Sequence, residues 1–250
     1  MLFSVITIVK NRKETISYAI NSVLKQTFKD FEYLIIDSNS SDGTSDIIKS
    51  LIKERKNIQH IRESDNGIYD ALNKGIEKSN GKYIFLVHSD DFIEDKNLFE
   101  KASQILFKKK LDILFGKAIY FKRKNGLLSK SRLYNFKNLD INSLSSGLMP
   151  CHTTMFINAN LFSKYGNYNS SFKIASDFEF LLRVVKKGKI LSEYNENIII
   201  FMQMGGVSSK GISSFLSLNK EVRLAGKLNG VNITYTSLFK KYLNKIKEYL

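Results

Sequence analysis

The chain has 250 residues, of which 43% are hydrophobic, and its formal net charge is +15. This length and hydrophobic fraction suit one sizeable domain and exclude a disordered chain. The single cysteine, Cys151, excludes an intramolecular disulfide and a cysteine-based zinc cluster, which suits a reducing cytoplasm. No apolar run approaches the roughly 20 residues that span a bilayer. The first ten residues lack the basic start of a signal peptide, so we expect the mature chain to begin at Met1.

The first half of the chain predicts alternating strands and helices. Such alternation is typical of an α/β fold with a mainly parallel sheet flanked by helices. Ligands of such sheets bind beyond the carboxyl ends of the strands. The predicted strands are Phe3–Val9, Phe31–Ile36, Ile58–Ile61 and Tyr83–Val87, and the predicted helices are Thr15–Lys25, Thr44–Glu54, Tyr69–Lys78 and Asn97–Phe107.

The pattern changes after Asp112. Longer strands are predicted at Ile113–Phe121 and Thr153–Ile157, and the Lys-, Ser- and Asn-rich segment between them is predicted to be a loop region. The remaining predicted elements are a helix at Asp177–Lys186, an apolar run at Ile198–Met202, and two basic helices at Ser213–Lys227 and Thr236–Leu250. We therefore expect one domain over residues 1–210, followed by a basic helical segment over residues 211–250.

Two adjacent carboxylates follow the predicted strand in YIFLVHSDD, residues 83–91. Asp90 and Asp91 would repel each other in a low-dielectric site, so a cation or polar ligand is expected to neutralise them. Hard divalent ions prefer such oxygens. Because side chains alternate along an extended backbone, we expect one of the two to bind the metal. In the alternative interpretation, this turn merely caps the helix that follows Phe92.

Polar residues also follow the other strands. Val9 and Asn11 close the first strand, Asp37 closes the second, and Asp65 lies in ESDNGIYDALNKG. A carboxylate at a strand end is well placed to accept a hydrogen bond from a base N–H or a ribose hydroxyl. A dinucleotide-binding Rossmann domain would share these features. It would also need glycines after the first strand, where this chain has KNRKET.

Four segments together resemble a known family. SVITIVKNR, IIDSNSSDGT, DNGIYDALNKGIEKSNGKYIFLVHSDD and ASDFEFLLR have the order and spacing of the inverting nucleotide-sugar glycosyltransferases of family 2, which have the GT-A fold. The bacterial surface-polysaccharide subgroup is the most similar. The resemblance implies a nucleotide-sugar-binding half at residues 1–110 and an acceptor half at residues 111–210. It also implies that Asp37 and Asp65 hold the base, Asp90 the ribose, and Asp91 the Mn²⁺ or Mg²⁺, with Asp177 as catalytic base.

General chemistry supports these roles. A cation neutralises the charge that grows on a departing diphosphate, and inversion needs one base on the opposite face of the sugar. The carboxylate of Asp177 is ionised at neutral pH and favoured by a helix N-terminus. From the residues alone, Asp177 is equally an N-cap of the helix beginning FEFLLR. Glu179 is a second candidate for the base, although it points to another helix face.

The chain departs from the family pattern at Leu72, where many relatives carry an arginine that can touch the diphosphate. Lys74 or Arg12 is expected to compensate. His152 lies in a segment that resembles the acceptor-side strand, and His88 is expected to pack beside the aspartate pair. Gly205 and Gly206 suit either a lid near the donor phosphates or a plain hairpin turn.

The resemblance implies a cytoplasmic enzyme that moves a sugar from a nucleotide diphosphate donor, with a UDP-sugar favoured, to a glycan hydroxyl. The acceptor would be capsule, lipopolysaccharide, exopolysaccharide or a lipid-linked precursor. A sugar nucleotidyltransferase is an alternative, but it would need a Gly-rich basic loop in place of KNRKET. A non-catalytic nucleic-acid-binding protein is another. Scattered lysines and aromatic residues at core spacing argue against it, and no nucleic-acid partner is expected.

The predicted tail helix at residues 235–250 is amphipathic and basic. This pattern favours peripheral contact with anionic lipid at the inner face of the plasma membrane. The same apolar face could instead pack on the domain or on a second copy of the chain in a homodimer.

Overall fold

The computed structural model describes residues 1–53, 55–124, 127–205 and 212–239. The strands are β1 (Phe3–Val9), β2 (Phe31–Asp37), β3 (Ile58–Arg62), β4 (Tyr83–Leu86), β5 (Ile113–Lys124), β6 (Leu127–Tyr134), β7 (Phe156–Asn158) and β8 (Ser192–Gln203). The α-helices are α1 (Ile16–Leu24), α2 (Thr44–Ile52), α3 (Ile68–Glu77), α4 (Leu98–Lys109), α5 (Ile141–Ser145), α6 (Asn160–Tyr165), α7 (Ser176–Lys187) and α8 (Ile212–Leu228). A 3₁₀ helix, His152–Thr154, precedes β7, and residues 235–239 are helical.

These strands form one sheet in the order β3-β2-β1-β4-β7-β5-β6, with β8 paired to β5. β1 is parallel to β2 and β4, β2 is parallel to β3, and β5 is parallel to β8. Only β6 and β7 run antiparallel to their neighbours. The predicted α/β fold with a mainly parallel sheet is therefore confirmed. The carboxyl ends of β1 to β4 meet at one edge, where the polar loops lie.

Helices cover both faces of the sheet. Val5 of β1 belongs to a core cluster that includes Ile20 of α1 and Phe99 of α4. Its neighbour Ile6 belongs to a second cluster on the opposite face, to which α3 and α7 contribute. Burial of alternate residues on opposite faces explains why β1 reads as the continuous apolar run FSVITIV. The two layers fix the first turns of α1, α3 and α7 near the polar edge.

Close approach of β8 to β5 depends on Gly116. The β5–β8 register shifts between Phe115 and Lys117. A Cβ at Gly116 would lie 2.0 Å from the carbonyl oxygen of Ile198, which no side chain could tolerate without movement of the backbone. This contact lets the second half of β8 continue along β5 to Gln203, beside the aspartate pair.

Two predictions for the second half are wrong. The predicted loop region between residues 121 and 153 contains β6 and α5. β6 is polar because it is an exposed edge strand held by antiparallel pairing with β5, so it has no buried face to mark it. The strand predicted at Thr153–Ile157 begins only at Phe156, because Thr154 closes a 3₁₀ turn by donating its hydroxyl to the Cys151 carbonyl oxygen.

The basic helical segment at the C-terminus is confirmed over α8. Most of the predicted tail helix, residues 240–250, lies outside the described residues, as does Gly206. Within the described ranges, no helix is long and apolar enough to cross a membrane.

Candidate active site

The loops after β1 and β2 hold each other in place. Asn11 has a positive φ of 52°. Its backbone N–H donates to Ser40 Oγ at 2.9 Å, and its side-chain oxygen accepts from the Ser41 N–H at 2.9 Å. The carbonyl oxygen of Val9 accepts from the Ser38 N–H at 2.9 Å. Val9 and Asn11 therefore shape the edge of the sheet through their backbones and one amide.

Asp37, at the end of β2, is fully buried and accepts several hydrogen bonds. The donors are the Ser40 N–H at 2.8 Å, the Ser45 hydroxyl, and His60 Nε2 at 3.1 Å, and Arg62 Nε lies 3.6 Å away. Burial raises the pKa of Asp37, but the bonds from Ser45, Ser40 and His60 outweigh it and hold the pKa below its ordinary value. This carboxylate orders the loop, and a base could reach it only by displacing one of these groups.

Asp65 is the more accessible of the two aspartates predicted to hold the base. Its side chain is partly exposed, one oxygen accepts from the Gly67 N–H at 3.0 Å, and the other accepts from the Ser38 hydroxyl. Ser38 follows Asp37 directly, so the two aspartates lie on neighbouring loops and are linked through Ser38. The sequence analysis did not single out Ser38.

Leu72, where relatives carry an arginine, is 1% exposed and packs in the core. Lys74 Nζ lies 3.3 Å from Asp70 Oδ2 and donates to the carbonyl oxygen of Ser64, beside the Asp65 loop. Arg12 is exposed, and its backbone N–H donates to Thr44 Oγ1 at 2.8 Å. Lys74 is therefore already held near the predicted donor loops, whereas the Arg12 side chain is exposed.

The aspartate pair follows β4. Asp91 is 2% exposed, and its Oδ1 accepts from the Gln203 N–H at 3.0 Å. Its Oδ2 is buried without a hydrogen-bond partner in the described part of the chain. Burial raises the pKa of Asp91 well above its ordinary value, and the charge of Asp90 raises it further. Asp90 itself is partly exposed.

A buried carboxylate oxygen without a partner, next to a second carboxylate, fits a hard divalent cation. No group of three or more His, Cys, Asp or Glu side chains in the described ranges is arranged to hold a metal. The protein would thus supply one or two ligands, as is usual for a cation that also binds substrate phosphates.

Asp177 lies in the first turn of α7, and its side chain is 18% exposed. Its Oδ1 accepts from the Phe178 N–H at 2.9 Å and lies 3.1 Å from the Tyr69 hydroxyl. Burial raises the pKa of Asp177 above the ordinary value, although the bonds from Phe178 and Tyr69 and the nearby His88 oppose the rise. The result is a carboxylate that holds a proton more readily than a surface aspartate does.

His152 lies beside Asp177. Its Nδ1 is 3.8 Å from Asp177 Oδ2, and its Nε2 is 2.8 Å from the Tyr168 hydroxyl. Burial, reinforced by His88, lowers the pKa of His152 to about 3, so the imidazole is neutral at pH 7. A proton donated by Tyr168 to Nε2 would leave the ring proton on Nδ1, facing Asp177.

His88 connects the two halves of the site. Burial lowers its pKa, while the charges of Asp90 and Asp177 raise it. Its ring centroid lies 6.1 Å from that of His152. The structure thus brings the residues after β4 and the start of α7 into one cluster, although more than 80 residues separate them in the sequence.

Glu179, the second candidate for the base, is 4% exposed and bound to structural partners. Arg183 donates to it at 3.0 and 3.1 Å, and Asn229 donates at 3.1 Å. The sequence analysis missed Tyr69 and Tyr168, whose hydroxyls reach the site, because tyrosine in an amphipathic pattern reads as core. Gly205 is exposed with a φ of +99°, which suits a turn.

Comparisons with known proteins agree with this arrangement. The chain is 24% identical over 216 residues to a PGL/p-HBAD biosynthesis glycosyltransferase of Mycobacterium bovis, covering 83% of this chain and 79% of the relative. Its fold is similar to that of S. aureus TarS 1–349 in complex with UDP-GlcNAc, with a TM-score of 0.69 and 18% identity over 90% of this chain. This chain spans 66% of that TarS chain.

A second solved structure supports the same fold. Mannosyltransferase PcManGT from Pyrobaculum calidifontis, in complex with GDP-Man and Mn²⁺, has a TM-score of 0.64 and 14% identity, covering 89% of this chain and 62% of its own. These likenesses identify the fold as GT-A. The sequence profile of Glycosyl transferase family 2 matches residues 4–166, about two thirds of the chain. The chain therefore belongs to glycosyltransferase family 2.

Proposed function

We propose that this glycosyltransferase is metal-dependent and inverting, and that it moves a sugar from a UDP-sugar to a hydroxyl of a bacterial cell-surface glycan or its lipid-linked precursor. The UDP-GlcNAc complex of TarS supports the choice of nucleotide. The PGL/p-HBAD relative supports a glycolipid or other surface acceptor. Capsule, lipopolysaccharide and exopolysaccharide are the acceptor classes, and the cytoplasm is where nucleotide sugars are supplied.

The donor half of the site is formed by the loops after β1 to β3. Asp65 is the carboxylate most open to a base N–H, and Asp37 supports the loop from below, with Val9 and Asn11 shaping the adjoining edge. Lys74 provides a cation beside the same loops. Gly205, with the neighbouring Gly206, would allow the turn after β8 to close over the phosphates.

Asp91 would hold the divalent cation, Mn²⁺ or Mg²⁺, through its unpartnered Oδ2, and Asp90 beside it faces the ribose. The cation would neutralise the negative charge that develops on the leaving diphosphate. The Gln203 N–H fixes the other Asp91 oxygen, which orients the carboxylate. The Mn²⁺ complex of PcManGT supports this assignment.

Asp177 is the catalytic base. It takes the proton of the acceptor hydroxyl while that oxygen forms a bond to the anomeric carbon. The bond between this carbon and the diphosphate oxygen breaks, and the diphosphate leaves with the electron pair. Tyr69 and the Phe178 N–H hold Asp177 Oδ1, so Oδ2 is the oxygen that accepts the proton.

One observation carries this proposal: His88 senses the charge of both Asp90 and Asp177. The donor-side carboxylates and the proposed base are thereby within one cluster, on opposite sides of a histidine. Residues before 110 supply the donor side, and His152 and Asp177 supply the acceptor side, which supports the division of the domain at residue 110.

The test uses UDP- and GDP-sugars with Mn²⁺ and a panel of lipid-linked and free glycans. We expect release of the nucleoside diphosphate with at least one pair, and a product whose anomeric configuration, read by NMR, is opposite to that of the donor. A product with the donor's configuration would contradict the inverting mechanism. Transfer that continues undiminished in excess chelator would contradict the metal requirement.

A further inference from the structure

The side of α8 that faces solvent has an unusual composition. Leu216, Lys220, Leu224 and Leu228 follow one another at intervals of four residues, so they lie on one side of the helix. Arg223 and Lys227 lie beside them. We call these six residues the outer face of α8. The three leucines are 61%, 43% and 58% exposed, whereas Val222 and Ala225 on the opposite side are buried in the core.

The outer face continues into the following segment. The Arg223 guanidinium lies 3.9 Å from the centroid of the Tyr235 ring. Tyr235 is 63% exposed, and Phe239, four residues later in the same helical stretch, is 64% exposed. Exposed leucines and aromatic rings are thus interspersed with cations, the composition of a helix that lies in a membrane interface.

The outer face has no acidic residue. Glu221, the one acidic residue of α8, points to the inner side, where it accepts from the backbone N–H groups of Lys173, Ile174 and Ala175 at 2.9 Å each. A second copy of the chain docked symmetrically on this face would bring like charges together. A nucleic acid would match the cations but leave three leucines without a partner. An anionic lipid surface satisfies both kinds of side chain.

We propose that the outer face of α8 binds the surface of an anionic lipid bilayer. The cations contact lipid phosphates, and the leucines and aromatic rings enter the boundary between headgroups and acyl chains. The inner side of the same helix holds residues 173–175, which lead directly into α7 and Asp177. Resting on the proposed function, this orientation turns the acceptor side of the site toward a lipid-linked substrate.

Vesicle sedimentation of the full chain tests the proposal. The probes are phosphatidylcholine vesicles with and without phosphatidylglycerol, at low and high salt. The chain is expected to sediment with the anionic vesicles only, and less at high salt. Lys220→Glu with Lys227→Glu should weaken this binding by at least about tenfold. Leu224→Gln with Leu228→Gln should weaken it as well.

A matched control carries the same change of charge elsewhere. Lys49→Glu with Lys108→Glu alters exposed lysines of α2 and α4, and α4 packs on the other face of the sheet. This control should sediment nearly as the unaltered chain does. Equal binding by the Lys220/Lys227 variant and the unaltered chain would overturn the proposal, as would failure of the unaltered chain to bind anionic vesicles at low salt.

Two further measurements separate other outcomes. UDP binding in lipid-free solution should be equal in all these variants, so loss of vesicle binding would be distinguishable from failure of the proposed function. If Leu224→Gln with Leu228→Gln changed the mass of the particle in lipid-free solution and left vesicle binding intact, the face would be an interface between copies, and the proposal would be wrong.

Discussion

Asp177 is held by one oxygen and open at the other. The Phe178 N–H and the Tyr69 hydroxyl contact Oδ1, while Oδ2 faces His152 at 3.8 Å. An N-cap aspartate would instead accept from the backbone two or three residues further along the helix. The contacts around Asp177 therefore favour a group that is positioned for chemistry over one that only caps α7.

Replacement of Asp177 by asparagine should separate binding from turnover. Asp177→Asn keeps the shape of the side chain but cannot accept the proton, so transfer should fall by about 10²–10⁴-fold. Donor binding, measured by calorimetry, should be nearly unchanged. Asp46→Asn, in the first turn of α2, is the matched control and should retain activity. Near-normal transfer by Asp177→Asn would make Asp177 a structural residue.

The pH dependence of transfer should report the raised pKa of Asp177. The base is active when ionised, so kcat/KM should fall as pH falls through that pKa, and this acid limb should lie above the ordinary aspartate value of 3.8. His152, His88, Tyr69 and Tyr168 are the other titratable groups around it. The pKa of His152, at about 3, places its own titration at lower pH.

Tyr69→Phe removes a hydrogen bond that favours the ionised carboxylate. The pKa of Asp177 should rise further, and the acid limb of kcat/KM should move to higher pH. Tyr83→Phe is the matched control, because its hydroxyl donates to the Leu111 carbonyl oxygen instead. An acid limb that stays in place, or moves to lower pH, in Tyr69→Phe would contradict the assignment of this limb to Asp177.

At the scale of elements, α8 supports the loop before α7. The Glu221 carboxylate accepts three backbone N–H groups in succession, at residues 173, 174 and 175. The Ile174 carbonyl oxygen in turn lies 2.6 Å from the Tyr69 hydroxyl. Thus one glutamate on α8 is connected through two contacts to the tyrosine that touches Asp177.

Glu221→Ala should leave these three N–H groups without a protein acceptor. We expect a loss of about 2 kcal/mol in the free energy of unfolding, measured with urea, together with reduced turnover from misplacement of Asp177. Glu94→Ala, at an exposed position, should change the free energy of unfolding by less than about 0.5 kcal/mol. Equal stability of the Glu221→Ala and unaltered proteins would show that this contact does not hold the loop.

Elements of the first half could be predicted from the sequence because their strands are buried on both faces and their helices are amphipathic. Phe3–Val9 was predicted with its observed bounds. β6 could not be predicted, since an exposed edge strand depends on β5 for its structure. The contacts of Tyr69 and Glu221 are likewise set by the packing of distant elements, and no local pattern marks them.

Within the candidate site, the order of the motifs was enough to find the family and its aspartates. It could not show that Asp37 is fully buried and already hydrogen-bonded, or that Asp65 is the more open carboxylate. Burial of this kind depends on where the side chains of β3 come to lie, as His60 and Arg62 do beside Asp37. The roles assigned to these residues stay predictions.

For the whole molecule, the parallel strands are the feature on which the site depends. They place the loops that follow β1 to β4 at one edge, and the pairing of β5 with β8 carries Gln203 to Asp91. α7 brings Asp177 to the same region from the other half of the chain. The central claim is that this edge binds a nucleoside diphosphate through a cation held at Asp91, while Asp177 acts only on the acceptor.

Calorimetry with UDP, in the presence and absence of Mn²⁺, tests that claim most directly. The unaltered chain and Asp177→Asn should bind UDP with Mn²⁺ and much more weakly in excess chelator. Asp91→Asn, which keeps the volume of the buried side chain but removes its charge, should lose the metal-dependent part of the affinity. A folded Asp91→Asn protein with unchanged metal-dependent binding of UDP would contradict the account.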